Sequence, residues 1–138
     1  MSEKIIDFRS DTVTKPTKEM RQAMFEAEVG DDVYEDDPTI NLLQKKAAKM
    51  LHKEDACFVT SGTMGNLLSI LTHTNRADEI IIGKNYHPIT HEVGGMAAIA
   101  QVLPRMIDNP NDFIYPQDIR NAMRPDDIHE PCTTLLCM

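Results

Sequence analysis

The stretch Ala56-Cys57-Phe58-Val59-Thr60-Ser61-Gly62-Thr63-Met64-Gly65-Asn66-Leu67-Leu68 constrains the rest of the chain most. An apolar run able to form a buried strand at 57–59 is cut by Ser61-Gly62-Thr63, and a helical apolar pattern follows at Leu67, Leu68, Ile70 and Leu71. A strand that stops at a glycine-containing turn and restarts as a helix leaves the first helical N–H groups unpaired, with the positive end of the helix dipole behind them. Such a turn suits an anion, most often a phosphate. Glycine lets the backbone come close to the ligand, and the hydroxyls of Ser61 and Thr63 add donors. The same pattern also describes an ordinary strand-to-helix connection with Ser61 or Thr63 as N-cap.

Composition bounds the class. With 138 residues, 41% of them hydrophobic, and no tryptophan, the chain suits one soluble α/β domain or part of a larger one. A formal net charge of −8 disfavours nucleic acid as a partner, because neutralising backbone phosphates needs a basic face. Cys57, Cys132 and Cys137 form no CxxC pair; an odd count without a signal-peptide pattern fits a reducing, cytoplasmic setting with the thiols as packing residues. No segment approaches the ~20 apolar residues of a membrane span, so no membrane partner is expected.

Residues 1–16 read as an extended arm, kept from helix by Pro16, and 17–138 as the body of the domain. Thr17 is placed to cap a short helix with Met20, Ala23 and Met24 on one face. Gly30 and the acidic run from Asp31 to Asp37 form a loop; its carboxylates lack the calcium-loop spacing, so it reads as solvated. Beyond Pro38, the positions Ile40, Leu43, Ala47, Met50 and Leu51 mark an amphipathic helix. After the strand, turn and helix of the opening stretch, Glu79-Ile80-Ile81-Ile82-Gly83 reads as a second buried strand. A short helix at 89–96, with Pro88 in its first turn, and a third strand around Ala100-Gln101-Val102-Leu103 come next. A turn at Asn109-Pro110-Asn111-Asp112, a helix at 116–123 and a fourth strand at 133–138 complete the order.

This alternation predicts the α/β class: a mostly parallel sheet with flanking helices, its strands around Phe58, Ile81, Val102 and Leu136 buried on both faces. Natural domains seldom stop inside a buried strand. The ending Leu135-Leu136-Cys137-Met138 therefore predicts a sequence truncated at its C-terminus and, with an open sheet edge, prone to self-association.

His87 and His91 have the spacing of a helical metal pair, with Glu92 beside the second. The zinc-protease order needs the glutamate directly after the first histidine, where Pro88 stands, and no metal site is expected. Pro88 also sets His87 at or before the helix start, so the two imidazoles need not share a face. A neutral imidazole at position 87, beyond the end of the second strand, would share a sheet edge with Ser61-Gly62-Thr63 and can stack on an aromatic ligand. A helix-capping or partly exposed histidine is the plainer alternative.

Taken together, the segments IDFRSDTVTKPTKEM, EVGDDVYEDDPTINLLQ, FVTSGTMGN, HPITHEVGGMA and RPDDIHEP, in this order and spacing, resemble the N-terminal part of the threonine aldolase family, fold type I enzymes that use pyridoxal 5'-phosphate. The resemblance runs from Ile6 to Met138. It implies that residues 17–138 are the N-terminal part of a cofactor-binding large domain of the aspartate aminotransferase type. Residue by residue, it implies that Ser61, Gly62 and Thr63 bind the cofactor phosphate and that His87 stacks on the pyridine ring as a catalytic residue. It implies that Ser10, in Arg9-Ser10-Asp11-Thr12, helps hold the substrate carboxylate, and that His129, in Asp127-Ile128-His129, acts near the substrate hydroxyl. Tyr34 and Glu92 fall in motifs near the site. The implied reaction cleaves L-threonine or L-allo-threonine to glycine and acetaldehyde, in threonine catabolism and glycine biosynthesis. The implied assembly is a homotetramer, a dimer of dimers with its sites at subunit interfaces.

That chemistry needs a lysine to bind the cofactor covalently and a carboxylate on its pyridine nitrogen. In the family both lie downstream of the point where this chain ends, so the chain alone is expected to be inactive. Two departures affect loop geometry: Glu35 stands where the family usually has glycine, and Pro88 where it often has an aliphatic residue. Two other readings stand beside the enzyme. Gly62-Thr63-Met64-Gly65 has the GxxG spacing of a KH-type nucleic-acid clamp, against which the acidic charge weighs, and the chain can also be read as an inactive subunit or α/β interaction module.

Overall fold

Polar side chains that close off backbone donors shape the first part of the chain. A computed structural model describes residues 6–108, 110–111 and 113–138, in two compact units divided between Phe58 and Val59. In the first unit, Ser10 accepts the Thr12 N–H and opens a 3-10 turn at Asp11–Val13. Helix α1 (Lys18–Glu26) begins where Thr17 accepts the Met20 N–H at 3.2 Å, though none of its side chains is buried. Helix α2 (Pro38–Leu51) begins at Asp37, whose Oδ1 accepts the Ile40 N–H at 2.8 Å, with Pro38 where no donor is needed. Between the helices the acidic loop is tied back on itself: Gly30 N–H donates to Asp37 Oδ2 at 3.0 Å, and the Asn41 amide donates to the Glu35 carbonyl at 2.7 Å.

The second unit is a three-stranded parallel sheet of order β2-β1-β3, made of β1 (Glu79–Gly83), β2 (Leu103–Ile107) and β3 (Thr133–Cys137). Ile80 and Ile82 pack on one face with Ile70 of α3 (Gly62–His73) and with Met96, Ala100 and Val102. On the other face Ile81 meets Ile107 and Ala122, the last from α5 (Pro116–Ala122). Covering both faces is what a parallel sheet requires, and it explains an unbroken isoleucine run in β1. Glu79 faces Thr133 while Ile80 faces Leu135, so Thr134 is an extra residue in β3; its hydroxyl donates to Asp78 Oδ2 at 3.0 Å.

Three expectations are corrected. Residues 57–59 form no strand, and Phe58 is 51% exposed with its N–H donated to the Gln44 side chain. An apolar run becomes a strand only where a ladder partner takes its backbone groups, and among the described residues none does. The third strand begins at Leu103 rather than Ala100. Gln101, left-handed at φ 57, donates to the Met96 carbonyl and closes a π turn at Met96–Ala100, so Ala100 and Val102 fill the core from outside the ladder. The helix expected at 89–96 is a single turn, α4 (His87–Thr90), because Val93 (φ 53) and Gly94 (φ 71) leave helical space.

Burial on both faces holds for Ile81, whereas Leu136 is only half-buried. Of the turn at 109–112, Pro110 and Asn111 are in turn conformation and Asn109 and Asp112 lie outside the described residues. Among the described residues no helix is long and apolar enough to cross a membrane.

Candidate functional site

Ser61 is the N-cap of α3, its Oγ accepting the Met64 N–H at 3.1 Å. The N–H groups of Gly62 and Thr63 have no acceptor among the described residues. A Cβ built on Gly62 would meet nothing within 4 Å, so the backbone there fronts open space. The turn is thus both a capped helix start and an open backbone cradle. Gly62 to Gly65 make the first turn of α3, not a loop between two helices.

His87 opens α4 just beyond the end of β1. Its Nδ1 lies 2.7 Å from Glu92 Oε1, and the same oxygen accepts the Asn66 side-chain amide at 2.6 Å. Glu92 is buried, its side chain 4% exposed, while the His87 ring is 59% exposed. His91 stacks on His87 with ring centroids 5.2 Å apart and planes 20° from parallel, and its Nδ1 is 2.6 Å from Thr90 Oγ1. The two imidazoles therefore do share a face, as a stack whose Nδ1 atoms are already engaged.

A cleft of about 450 Å³ opens beside them, lined by Asn66, Asn85, Tyr86, His87, Pro88, Cys137 and Met138. Burial, and then the nearby Glu92 carboxylate, push the Cys137 thiol above its ordinary range, so it stays protonated in that cleft.

A larger hollow of about 630 Å³ runs along β2 from Pro104 to Asp108 and reaches Glu79 at the opposite end of the strands. There Glu79, at the start of β1, takes Arg124 through Nε at 3.1 Å and Nη2 at 3.2 Å, and Arg124 also pairs with Glu130 at 2.7 Å. His129 belongs to this end. It precedes β3 and donates its backbone N–H to Asp127 Oδ1 at 2.8 Å, so the structure does not bring it to His87. Ser10 stands in the first unit, exposed, its hydroxyl 2.8 Å from Thr12 Oγ1. Sequence reasoning missed Asn66; its signal is a polar side chain at the head of the apolar pattern Leu67, Leu68, one turn beyond the cap.

A sequence model of the beta-eliminating lyases matches residues 7–138. The chain belongs to the beta-eliminating lyase family. Among related members, the low specificity L-threonine aldolase of Escherichia coli strain K12 is 45% identical over 135 residues, which cover 97% of this chain and 40% of that one. Low-specificity L-threonine aldolase 1 of Arabidopsis thaliana is 44% identical over 137 residues, covering 96% of this chain and 38% of its own length. The chain thus spans about 40% of the length of the curated relatives it matches. A crystal structure assigned as an L-allo-threonine aldolase from Listeria monocytogenes shares the fold, with a TM-score of 0.56 and 24% identity over 70% of this chain and 26% of that one. The α/β fold expected of the large domain is the one found.

Proposed function

We propose that the whole protein containing these residues is a pyridoxal-phosphate-dependent lyase that cleaves L-threonine and L-allo-threonine to glycine and acetaldehyde. One observation carries the reading: the open backbone cradle at Gly62 and the aromatic plate of His87 stand at one end of the sheet, joined through Asn66 and Glu92. The similarity to threonine aldolases over nearly the whole chain supports it.

The residues present fit the cofactor's phosphate. Two backbone donors at a helix N-terminus have no acceptor among the described residues, Gly62 carries no side chain to fill the space, and the Ser61 and Thr63 hydroxyls each have a proton to donate. When bound, pyridoxal phosphate supplies the electron sink for cleavage between Cα and Cβ. His87, backed on one side by His91, offers its other face to the pyridine ring and keeps water from it. Ser10, in the first unit, holds the substrate carboxylate. His129 handles the proton of the substrate hydroxyl; lying at the end of the strands away from His87, it does so in the site of a neighbouring copy, as a homotetramer with interfacial sites allows. The setting is cytoplasmic amino-acid metabolism.

Visible absorbance on adding pyridoxal phosphate to the whole protein, followed by acetaldehyde release from L-allo-threonine, tests the reading; absence of both overturns it. His87→Ala is expected to weaken cofactor binding roughly tenfold, the upper range of a stacking contribution, and His91→Ala roughly twofold to threefold through loss of the backing ring. Equal losses from both, with zinc found by elemental analysis, would favour a metal pair instead.

A further inference from the structure

We propose that Glu92 is a positioning residue: it fixes the tautomer and plane of His87 and ties that ring to the first turns of α3. A buried carboxylate needs donors, and the two given to Glu92 come from Asn66 and His87 on a single oxygen, Oε1. A carboxylate accepts and does not donate. His87 must therefore carry a proton on Nδ1, which leaves Nε2 as the bare nitrogen of the neutral ring.

The local backbone is bent to deliver this carboxylate. Val93, directly after it, is a fully exposed β-branched residue held in the left-handed region at φ 53, and Gly94 follows at φ 71. Strain of that kind persists where surrounding contacts over-determine it, and here the contacts belong to the inward-facing Glu92. His91 stacked on His87 limits rotation of the ring from its other side. One oxygen thus joins α3 to a residue 26 positions further along the chain, so the anion cradle and the aromatic plate are presented at a set spacing. The consequence for the cofactor rests on the function proposed above; the tautomer does not.

Ring nitrogen shifts of the whole protein labelled with ¹⁵N at histidine, recorded without cofactor at mildly alkaline pH, decide the first part. The expected result is His87 protonated at Nδ1. That form should survive Glu92→Gln, whose amide oxygen still accepts, and revert under Glu92→Ala to the Nε2-protonated form favoured by free imidazole. Wild-type His87 protonated at Nε2 overturns the proposal without any variant, as does an Nδ1 proton that persists in folded Glu92→Ala. For the second part, spectral titration with pyridoxal phosphate should show Glu92→Ala weakening binding about tenfold, as expected for one buried hydrogen bond to a charged group, and adding little to His87→Ala. Additive losses would mean that Glu92 supports only the fold and would overturn the coupling. A wild-type protein that binds no pyridoxal phosphate defeats the proposed function, while the nitrogen shifts still judge Glu92.

Discussion

Gly30 and Glu35 sit on the same acidic loop and meet opposite constraints. A Cβ on Gly30 would stand 2.3 Å from the Asp36 carbonyl oxygen, so the loop closes only over a residue without one. Gly30→Ala is expected to destabilise the protein by about 2–3 kcal/mol, because the atom it meets is backbone and cannot swing aside. Glu35 instead holds a side chain at φ 59, at the position where the threonine aldolase resemblance leads one to expect glycine. The left-handed conformation costs an L-residue about 1–2 kcal/mol and glycine's extra freedom returns part of that, so Glu35→Gly should stabilise by about 0.5–1 kcal/mol. Chemical denaturation of the two variants beside wild type checks both signs. The departure at Glu35 was legible in the sequence; the left-handed backbone beneath it was not, because it comes with the hydrogen bonds that close the loop, Glu35 N–H to the Asp32 carbonyl, Asp36 N–H to the Asp31 carbonyl and the Asn41 amide to the Glu35 carbonyl among them.

At the scale of the element, caps and apolar periods were legible and partners were not. Thr17 starts α1, Ser61 rather than Thr63 starts α3, and the run Glu79–Gly83 is a strand, since each signal is local to the residues that carry it, whereas Asp37, read in sequence only as part of a solvated loop, caps α2. The run at 57–59 has strand composition but no neighbour to pair with, and the π turn before β2 depends on a bond from Gln101 back to Met96 that no period announces. The candidate site divides the same way: Ser61, Gly62 and His87 stand out in sequence, whereas Asn66 and Glu92 meet only through the fold. Helix α2 offers a pH test. The Ile40 N–H first, then that of Gly30, hold the Asp37 carboxyl below its ordinary value of 3.8, against the opposing effect of burial. A carboxyl depressed in the folded state adds stability above its unfolded value and loses it as pH falls through the folded one. The stability gap between wild type and Asp37→Asn should therefore be full near neutrality and shrink below about pH 4. A gap that stays constant into acid would contradict this role for Asp37.

Across the whole molecule, the three-stranded sheet leaves the outer sides of β2 and β3 without a ladder partner among the described residues. Phe25 on α1 is 86% exposed and Leu51 on α2 is 71% exposed. Open edges and exposed apolar side chains favour association, so the 138-residue chain by itself should sediment with increasing mass as its concentration rises. A monomer stable to dilution, with a cooperative melt, would show that these residues suffice as a domain. The proposed phosphate site at the start of α3 turns on Gly62. Its backbone is compatible with a side chain and its surroundings are open, so Gly62→Ala should leave the cofactor-free protein unchanged or more stable by about 0.4–1 kcal/mol. Spectral titration of the whole protein with pyridoxal phosphate should then show binding weakened about tenfold or more, because the new methyl group projects into the space in front of the free N–H groups. Unchanged affinity in Gly62→Ala, or no cofactor spectrum in the wild type, would contradict it.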